Sequence, residues 1–499
     1  MDFLVAGLSN VFTFESLLAV LIGTLIGIIM GALPGVGPAL AIALTLPFTF
    51  GMAPETSLIL LGSIFSGSVY GGSISAILIN TPGTPGNAAT SFDGYPMTRK
   101  GEGGIALGIS AMSSAIGGII SILVLSFFSP LLANIAVHFG AAEQCMLGLL
   151  GLSVVSLAAD NDFLKGWISA GLGLMLSMVG FDLVTGEERF TFGWDYLYDG
   201  LQFIPLMVGL FAITQVLTLA QMKGTISGPG HVSGGFLKGA LSALKYRITL
   251  IRSALIGVMF GTVPALGLDA AAFFAYITEK RSAKKEAKSF GKGLHRAVVA
   301  PEAANNAVVG GSLIPTLALG IPGSAATAVL LGGLIIVGIT PGSKLFTEQA
   351  GMVGTFFVAM LFAQIAFLLM GLLFARPISK IVTLPNEILL SGILILATAG
   401  SFAIRNSLMD VIVCLTFGVI GYIFIKTNFN IVCFVLAFLL GPIIETGFQR
   451  ALVVSGGSYS IFFTRPISLV LFVLVVLMIL YGVIRSRKKD NNVDSSLNM

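Results

Sequence analysis

The chain carries a succession of apolar runs, most of them 17–25 residues long, and that feature decides most of what it can fold into. A helix rises 1.5 Å per residue, so about 20 apolar residues cross the roughly 30 Å hydrocarbon core of a bilayer. The runs do not alternate with a period of two, which disfavours a transmembrane β-barrel. Charged residues make up 10% of the 499, against roughly 25% in soluble domains. That balance excludes an ordinary soluble enzyme, a disordered scaffold and a nucleic-acid binder. The sequence therefore predicts an all-α polytopic membrane protein embedded in a lipid bilayer. The 62 Gly and 19 Pro fit this class, because membrane helices tolerate both residues more than soluble helices do.

Spans are expected near 17–49, 105–129, 142–158, 163–180, 200–219, 253–276, 350–375, 385–403, 408–425, 429–447 and 466–484, about 11 in all. Two further apolar stretches, 57–90 and 302–340, are interrupted by Pro-Gly clusters and read as re-entrant hairpins. The first and sixth spans are themselves broken, at Pro34-Gly35-Val36-Gly37-Pro38 and at Pro264-Ala265-Leu266-Gly267. Proline removes an N–H and clashes with the preceding turn, and glycine permits backbone angles closed to other residues. The backbone groups so freed cannot face lipid; they must be buried in protein or line a watery cavity. Four such breaks imply a polar site at mid-membrane depth.

The breaks recur in order. The first half has Pro34-x-x-Gly37, Gly71-Gly72-Ser73 and Pro85-Gly86-Asn87-Ala88-Ala89-Thr90. The second has Pro264-x-x-Gly267, Gly310-Gly311-Ser312 and Pro322-Gly323-Ser324-Ala325-Ala326-Thr327. We read residues 1–220 as a first repeat, 221–252 as a linker with an interfacial amphipathic helix, 253–465 as a second repeat, and 466–499 as a final span and tail. Five spans per repeat is an odd number, so the second repeat starts on the opposite side, giving inverted topology. Broken helices at matching positions of two halves mark a transporter binding site.

Basic residues are enriched on the cytoplasmic side of membrane proteins. The first one here is Arg99, and the tail carries Arg485, Arg487, Lys488 and Lys489. The N-terminus is thus expected outside and the C-terminus in the cytoplasm. Loop 277–296, with seven Lys and Arg, falls outside by parity; either a span is miscounted or that loop breaks the rule. The N-terminus lacks the basic stretch of a signal peptide, so its first apolar run is expected to be retained. Cys145, Cys414 and Cys433 sit alone in apolar segments, where packing explains them.

Restarting helices leave N–H groups without intrahelical partners, which with the helix dipole favour an anion. The candidate anion contacts are Asn80-Thr81-Pro82-Gly83-Thr84, Asn87 and Gly320-Ile321-Pro322-Gly323-Ser324. No Lys or Arg lies near the breaks, so a carboxylate would be held by amides and hydroxyls and released readily. The upstream half-helices end in carbonyls suited to a hard cation such as Na⁺. Ionisable groups at membrane depth are functional hypotheses by default. Glu302, Asn305 and Asn306 share one helix face, and Asp269 follows the second broken helix. Asp269, Glu302, Thr90 and Thr327 are the candidate cation ligands. A capping role for Glu302 after Pro301 is the alternative. His138 and Glu143 read as solvated, and Glu445 as interfacial. HExxH, GxSG and Walker-type motifs do not occur, so no enzyme, cofactor or self-supplied ATP drive is expected.

Several longer motifs carry a resemblance: GALPGVGP (31–38), YGGSISAILINTPGT (70–84), FDGYP (92–96), RKGE (99–102), EKR (279–281), APEAANNA (300–307) and GIPG (320–323). Together they resemble the large membrane subunit of tripartite tricarboxylate transporters, the TctA family, over about residues 15–480. Ala265 departs from the first repeat, which has Gly35. The resemblance implies residence in a bacterial inner membrane and two partners. One is a small membrane subunit of about four spans (TctB-like); the other is a periplasmic solute-binding protein (TctC-like). It also implies inward transport of citrate or other carboxylates by Na⁺ or proton symport. Carried over by motif, the contacts are Pro34 to Pro38, Asn80 to Thr84, Asn87, Asn305, Asn306 and Gly320 to Ser324. The expected function is ion-coupled uptake of a di- or tricarboxylate, by an elevator motion of the two hairpins or by rocking of whole halves. A channel-like anion conduit is the rival; it would conduct without saturable exchange.

Overall fold

The computed structural model describes residues 2–158, 163–182, 184–221, 234–263, 267–374, 377–378, 380 and 386–497. The first part comprises α1 (Asp2–Asn10), α2 (Phe14–Ala32), α3 (Pro38–Thr45), α4 (Pro54–Ile79), α5 (Ala88–Arg99), α6 (Gly103–Ala136), α7 (Ala141–Ala158) and α8 (Phe163–Ser177). A two-stranded ribbon, Gly180–Phe181 with Glu188–Arg189, leads to α9 (Phe203–Val208) and α10 (Thr214–Leu219). The second part comprises α11 (Phe236–Ala243), α12 (Arg247–Thr262), α13 (Gly267–Ser282), α14 (His295–Leu319), α15 (Ala325–Ile336), α16 (Ser343–Thr347) and α17 (Ala350–Leu373). It continues with α18 (Asn386–Arg405), α19 (Leu408–Lys426), α20 (Ile431–Val454), α21 (Ile461–Thr464) and α22 (Pro466–Leu497). Eight described helices are long and apolar enough to cross a membrane, so the all-α polytopic reading holds.

The path of the broken segments differs from the sequence reading. The segments 17–49 and 253–276 were expected to cross, and 57–90 and 302–340 to be the hairpins. Contacts show instead that the two broken helices turn back. Gly31 of α2 lies against Ser68 of α4, yet Thr49, just beyond α3, accepts a hydrogen bond from Ser57 Oγ at 3.3 Å. The chain has therefore returned toward the start of α4. Likewise Gly261 of α12 lies against Val308 of α14, while Glu279 of α13 meets Thr249 and Arg296 near the starts of α12 and α14. The helices α4 and α14 run on unbroken for 26 and 25 residues, about 38 Å at 1.5 Å per residue, and their Pro-Gly clusters come only after they end. The sequence window merged each long helix with the fold-back behind it. Helix α2 stops after 19 residues because Gly35, at φ +78°, opens a tight reversal.

Each turned-back arm meets its long helix backbone to backbone. A Cβ on Gly27 would lie 2.5 Å from Ile64 O, and one on Gly71 would lie 2.4 Å from Ile28 O. Gly257 stands 2.2 Å from Ala304 O by the same measure, and Gly311 2.6 Å from Val258 O. Such seams of small residues let membrane helices approach where no hydrophobic force draws them together.

Two buried carboxylates clamp the end where α5, α13 and α14 meet. Asp93 accepts from Tyr276 Oη and from the amides of Gly291, Gly293 and Leu294, each at 2.8 Å. Glu279 accepts from Thr249, Arg252 and Arg296. Lys100 Nζ donates to Lys292 O, so the basic loop 283–294 and the Arg99-Lys100 turn lie at one end of the molecule. At the other end Asp182 is held well below the usual carboxylate range by the Thr185 amide, then Gln449 and the Val184 amide. Glu143 was expected to be solvated; it is buried, pairs with Arg465 at 2.8 Å and caps the Gly140 amide. Glu445 pairs with Arg189. The three cysteines are buried and form no disulfide among the described residues.

Candidate functional site

After α4 and α14 the chain does the same thing twice. Asn80 and Gly320 end these helices in the left-handed region, at φ +58° and +71°. Three residues later the chain has folded back along the helix it has just left. Gly83 N donates to Gly72 O at 3.1 Å, and a Cβ on Gly83 would lie 2.1 Å from Gly31 O. A Cβ on Gly323 would lie 2.8 Å from Gly261 O and from Ser312 Cα. Each fold-back is thus seated at the broken end of its own arm. The sequence paired Pro85-Gly86 with Pro322-Gly323, but geometry pairs Pro82-Gly83 with them. The three extra residues, Pro85–Asn87, form a 3₁₀ turn that carries Asn87 inward. From there α5 resumes the direction of α4, with Thr98 Oγ1 donating to Ile77 O at 2.7 Å.

The inward turn builds a polar chain. Thr84 Oγ1 donates to Asn87 Oδ1 at 2.5 Å, and Asn87 Nδ2 donates to Ser73 Oγ at 2.7 Å. Ser73 Oγ donates to Glu302 at 2.7 Å. Glu302 is fully buried and also accepts from Thr90 at 2.5 Å, Ser110 at 2.6 Å and Ser114 at 2.8 Å. One carboxyl group therefore joins α4, α5 and α6 to α14. The capping alternative fails: Glu302 lies seven residues inside α14, whose first residue is His295. One turn further along α14, Asn305 and Asn306 are 0% and 1% exposed, and all four of their amide heteroatoms lack a partner among the described residues.

The fold-backs also spend amides that were expected to be open. Gly83 N is bonded to Gly72 O, Gly323 N reaches Thr316 Oγ1 at 3.3 Å, and Ser324 N reaches Thr327 Oγ1 at 2.8 Å. Ser324 and Thr327 form a reciprocal capping box on α15, so Thr327 stands apart from Glu302 and Thr90. Ile321 packs beside Gly151 of α7. Exposure is unequal: Gly35, Asn80, Thr81 and Pro85 are exposed, whereas Gly320 to Ser324 are buried. At the first break Val36 and Pro38 are buried, Pro34 and Pro82 are half-buried, and the Cβ position of Gly37 has no atom within 4 Å. Pro264, Ala265, Leu266 and the Asp269 side chain lie outside the described residues.

This arrangement of broken arms and fold-backs spans the region that a family profile covers: the one described as Tripartite tricarboxylate transporter TctA family matches residues 17–436. The chain belongs to the TctA family. Membership makes it a subunit of a tricarboxylate transporter, implies TctB and TctC partners, and points away from an enzyme. Two similar proteins come from Agrobacterium vitis. An uncharacterized 52.8 kDa protein in the TAR-I ttuC' 3' region is 35% identical over 426 residues, 85% of this chain and 84% of that protein. An uncharacterized protein in the TAR-II ttuC' 3' region is 33% identical over 235 residues, 46% of this chain and 97% of that protein. No solved structure matches.

Sequence reasoning on this TctA chain reached Glu302, Thr90 and Asn87 but missed Ser73, Ser110 and Ser114 as their partners. The i, i+4 spacing of Ser110 and Ser114, on a helix with no charged residue, was the available signal. Asp93 lay within the quoted FDGYP motif with no role assigned.

Proposed function

We propose that this chain is the permease subunit of a binding-protein-dependent secondary transporter that imports di- or tricarboxylates together with a cation. The observation that carries this reading is the pair of fold-backs, each seated on a broken arm, the first of them linked to α14 through a buried polar cluster. Substrate contacts fall to the accessible part of the first break and fold-back and to Asn305 and Asn306. A TctC-like periplasmic protein delivers the carboxylate, and a four-span TctB-like subunit accompanies this one.

The contacts favour an elevator over rocking halves. Asp93 ties α5 to Tyr276 and residues 291–294, and Glu302 ties α14 to α4, α5 and α6. Rocking the halves apart would break both clusters. A single moving body that holds both broken arms and both fold-backs keeps them intact. Phe92 and Phe273, whose rings are 5.9 Å apart, test this. Bridging cysteines at these positions with a short bifunctional thiol reagent should leave citrate counterflow in proteoliposomes within about twofold, whereas rocking predicts arrest.

On the path described above the chain crosses the bilayer with α4, α6, α7, α8, the α9–α10 pair, α14, α17, α18, α19, α20 and α22. The arms α2–α3 and α12–α13 return to the side they left, which inverts the second repeat. Loop 283–294 then shares the cytoplasmic side of the inner membrane with Arg99 and with the C-terminal tail, so the basic loop obeys the charge rule. A cysteine at Lys284 should be protected from impermeant maleimide in intact cells, and one at Phe192 should be labelled. The reverse pattern would refute this orientation.

A further inference from the structure

We propose that Glu302 is the site where the coupled cation, a proton, is taken up and released; this rests on the transport reading above. The reason lies in the company it keeps. An ionised carboxylate offers about four lone-pair sites, and it accepts only hydrogen bonds. Four hydroxyls, from Ser73, Thr90, Ser110 and Ser114, surround the two oxygens of Glu302 at 2.5–2.8 Å. A hydroxyl can donate or accept, so this cage serves the carboxylate with four donors and serves the acid when one hydroxyl turns to accept its proton. A fixed cation would hold the ionised form permanently.

The neighbouring ionisable groups are few or otherwise engaged. Helix α6 carries none between Gly103 and Ala136. On α4 the Tyr70 hydroxyl is buried and has no hydrogen-bond partner among the described residues. On α5 Asp93 is occupied by Tyr276 and the 291–294 amides. On α12 and α13, Arg252 and Glu279 pair with each other.

The Thr84–Asn87–Ser73 chain runs from the first fold-back to this carboxyl. An anionic substrate at the fold-back and an ionised Glu302 repel within a low-dielectric interior. Protonation of Glu302 therefore favours substrate binding, and by linkage substrate binding favours protonation by the same factor. The bookkeeping is one O–H bond. A proton from the outer water joins Glu302 as the carboxylate binds, and it leaves to the inner water as the carboxylate departs.

The test uses the three-component complex in proteoliposomes with radiolabelled citrate as probe, energised by a pH gradient or by a sodium gradient at fixed pH. Wild type should accumulate citrate under the pH gradient, with apparent affinity falling as the pH rises. Glu302→Gln should exchange citrate with no pH dependence and no accumulation. Accumulation by Glu302→Gln equal to wild type, or wild-type accumulation driven by sodium alone, overturns the proposal. Wild-type vesicles without citrate exchange overturn the transport reading and this one with it. Infrared titration of the protein in nanodiscs gives a readout free of substrate. Acidification should raise the carbonyl band of a buried carboxylic acid that Glu302→Gln lacks and Ser114→Ala shifts. No such band, or one unchanged in both variants, refutes protonation at Glu302 alone.

Discussion

Gly83→Val is expected to abolish citrate uptake while the protein still inserts in the membrane. Even a single methyl at this position would stand 2.1 Å from Gly31 O and 2.6 Å from Gly72 Cα. Both obstacles are backbone, so no side chain can rotate away. The fold-back must lift off its arm by an ångström or more, whereas extra bulk in an adaptable core typically costs about 1–3 kcal/mol. A 1 Å displacement of positioning groups can lower function about 100-fold, and uptake should fall at least that far. Expression by immunoblot and uptake in vesicles measure the two effects separately. Gly37→Ala is the internal control, because its Cβ position is open and its φ of −74° is ordinary. The added methyl should leave folding intact and, if substrate uses that space, raise KM alone. Uptake by Gly83→Val within twofold of wild type would contradict the seated fold-back.

Asn305 and Asn306 should show opposite signs for stability and function. Leaving a buried polar group unpaired costs about 1–3 kcal/mol, and apolar replacements of similar shape are neutral or stabilising. The double change Asn305→Leu with Asn306→Leu is therefore expected to hold or raise the melting temperature. It should cut citrate uptake by roughly 10- to 100-fold, the equivalent of one or two lost hydrogen bonds. A paired, purely structural role predicts the reverse: lower thermal stability, with uptake falling only in step with protein level. Thermal unfolding in detergent alongside vesicle uptake decides between them.

The membrane class and the positions of the breaks were legible because apolar run length and Pro-Gly chemistry are local. What each break does was not. Whether a chain continues or reverses after Pro34 depends on what it packs against, and the contact of Thr49 with Ser57 has no signature in either residue. The pairing of Pro82-Gly83 with Pro322-Gly323 was hidden by a three-residue turn that made Pro85-Gly86 the better string match. The importance of Glu302 was legible from the cost of a carboxyl at membrane depth. Its partners were not, since Ser110 and Ser114 lie 192 and 188 residues away in the chain. The basic loop 277–296 was the one place where the sequence contradicted its own parity, and the path proposed above removes that contradiction.

The glycine seams between α2 and α4 and between α12 and α14 reverse the meaning of a common experiment. Alanine scanning ordinarily trims atoms and asks what was lost. Along these two lines of contact it inserts a wedge instead, so that Gly27→Ala, Gly31→Ala, Gly257→Ala or Gly261→Ala forces whole arms outward. Damage there would report leverage on the arm, with no bearing on whether the residue meets the cargo.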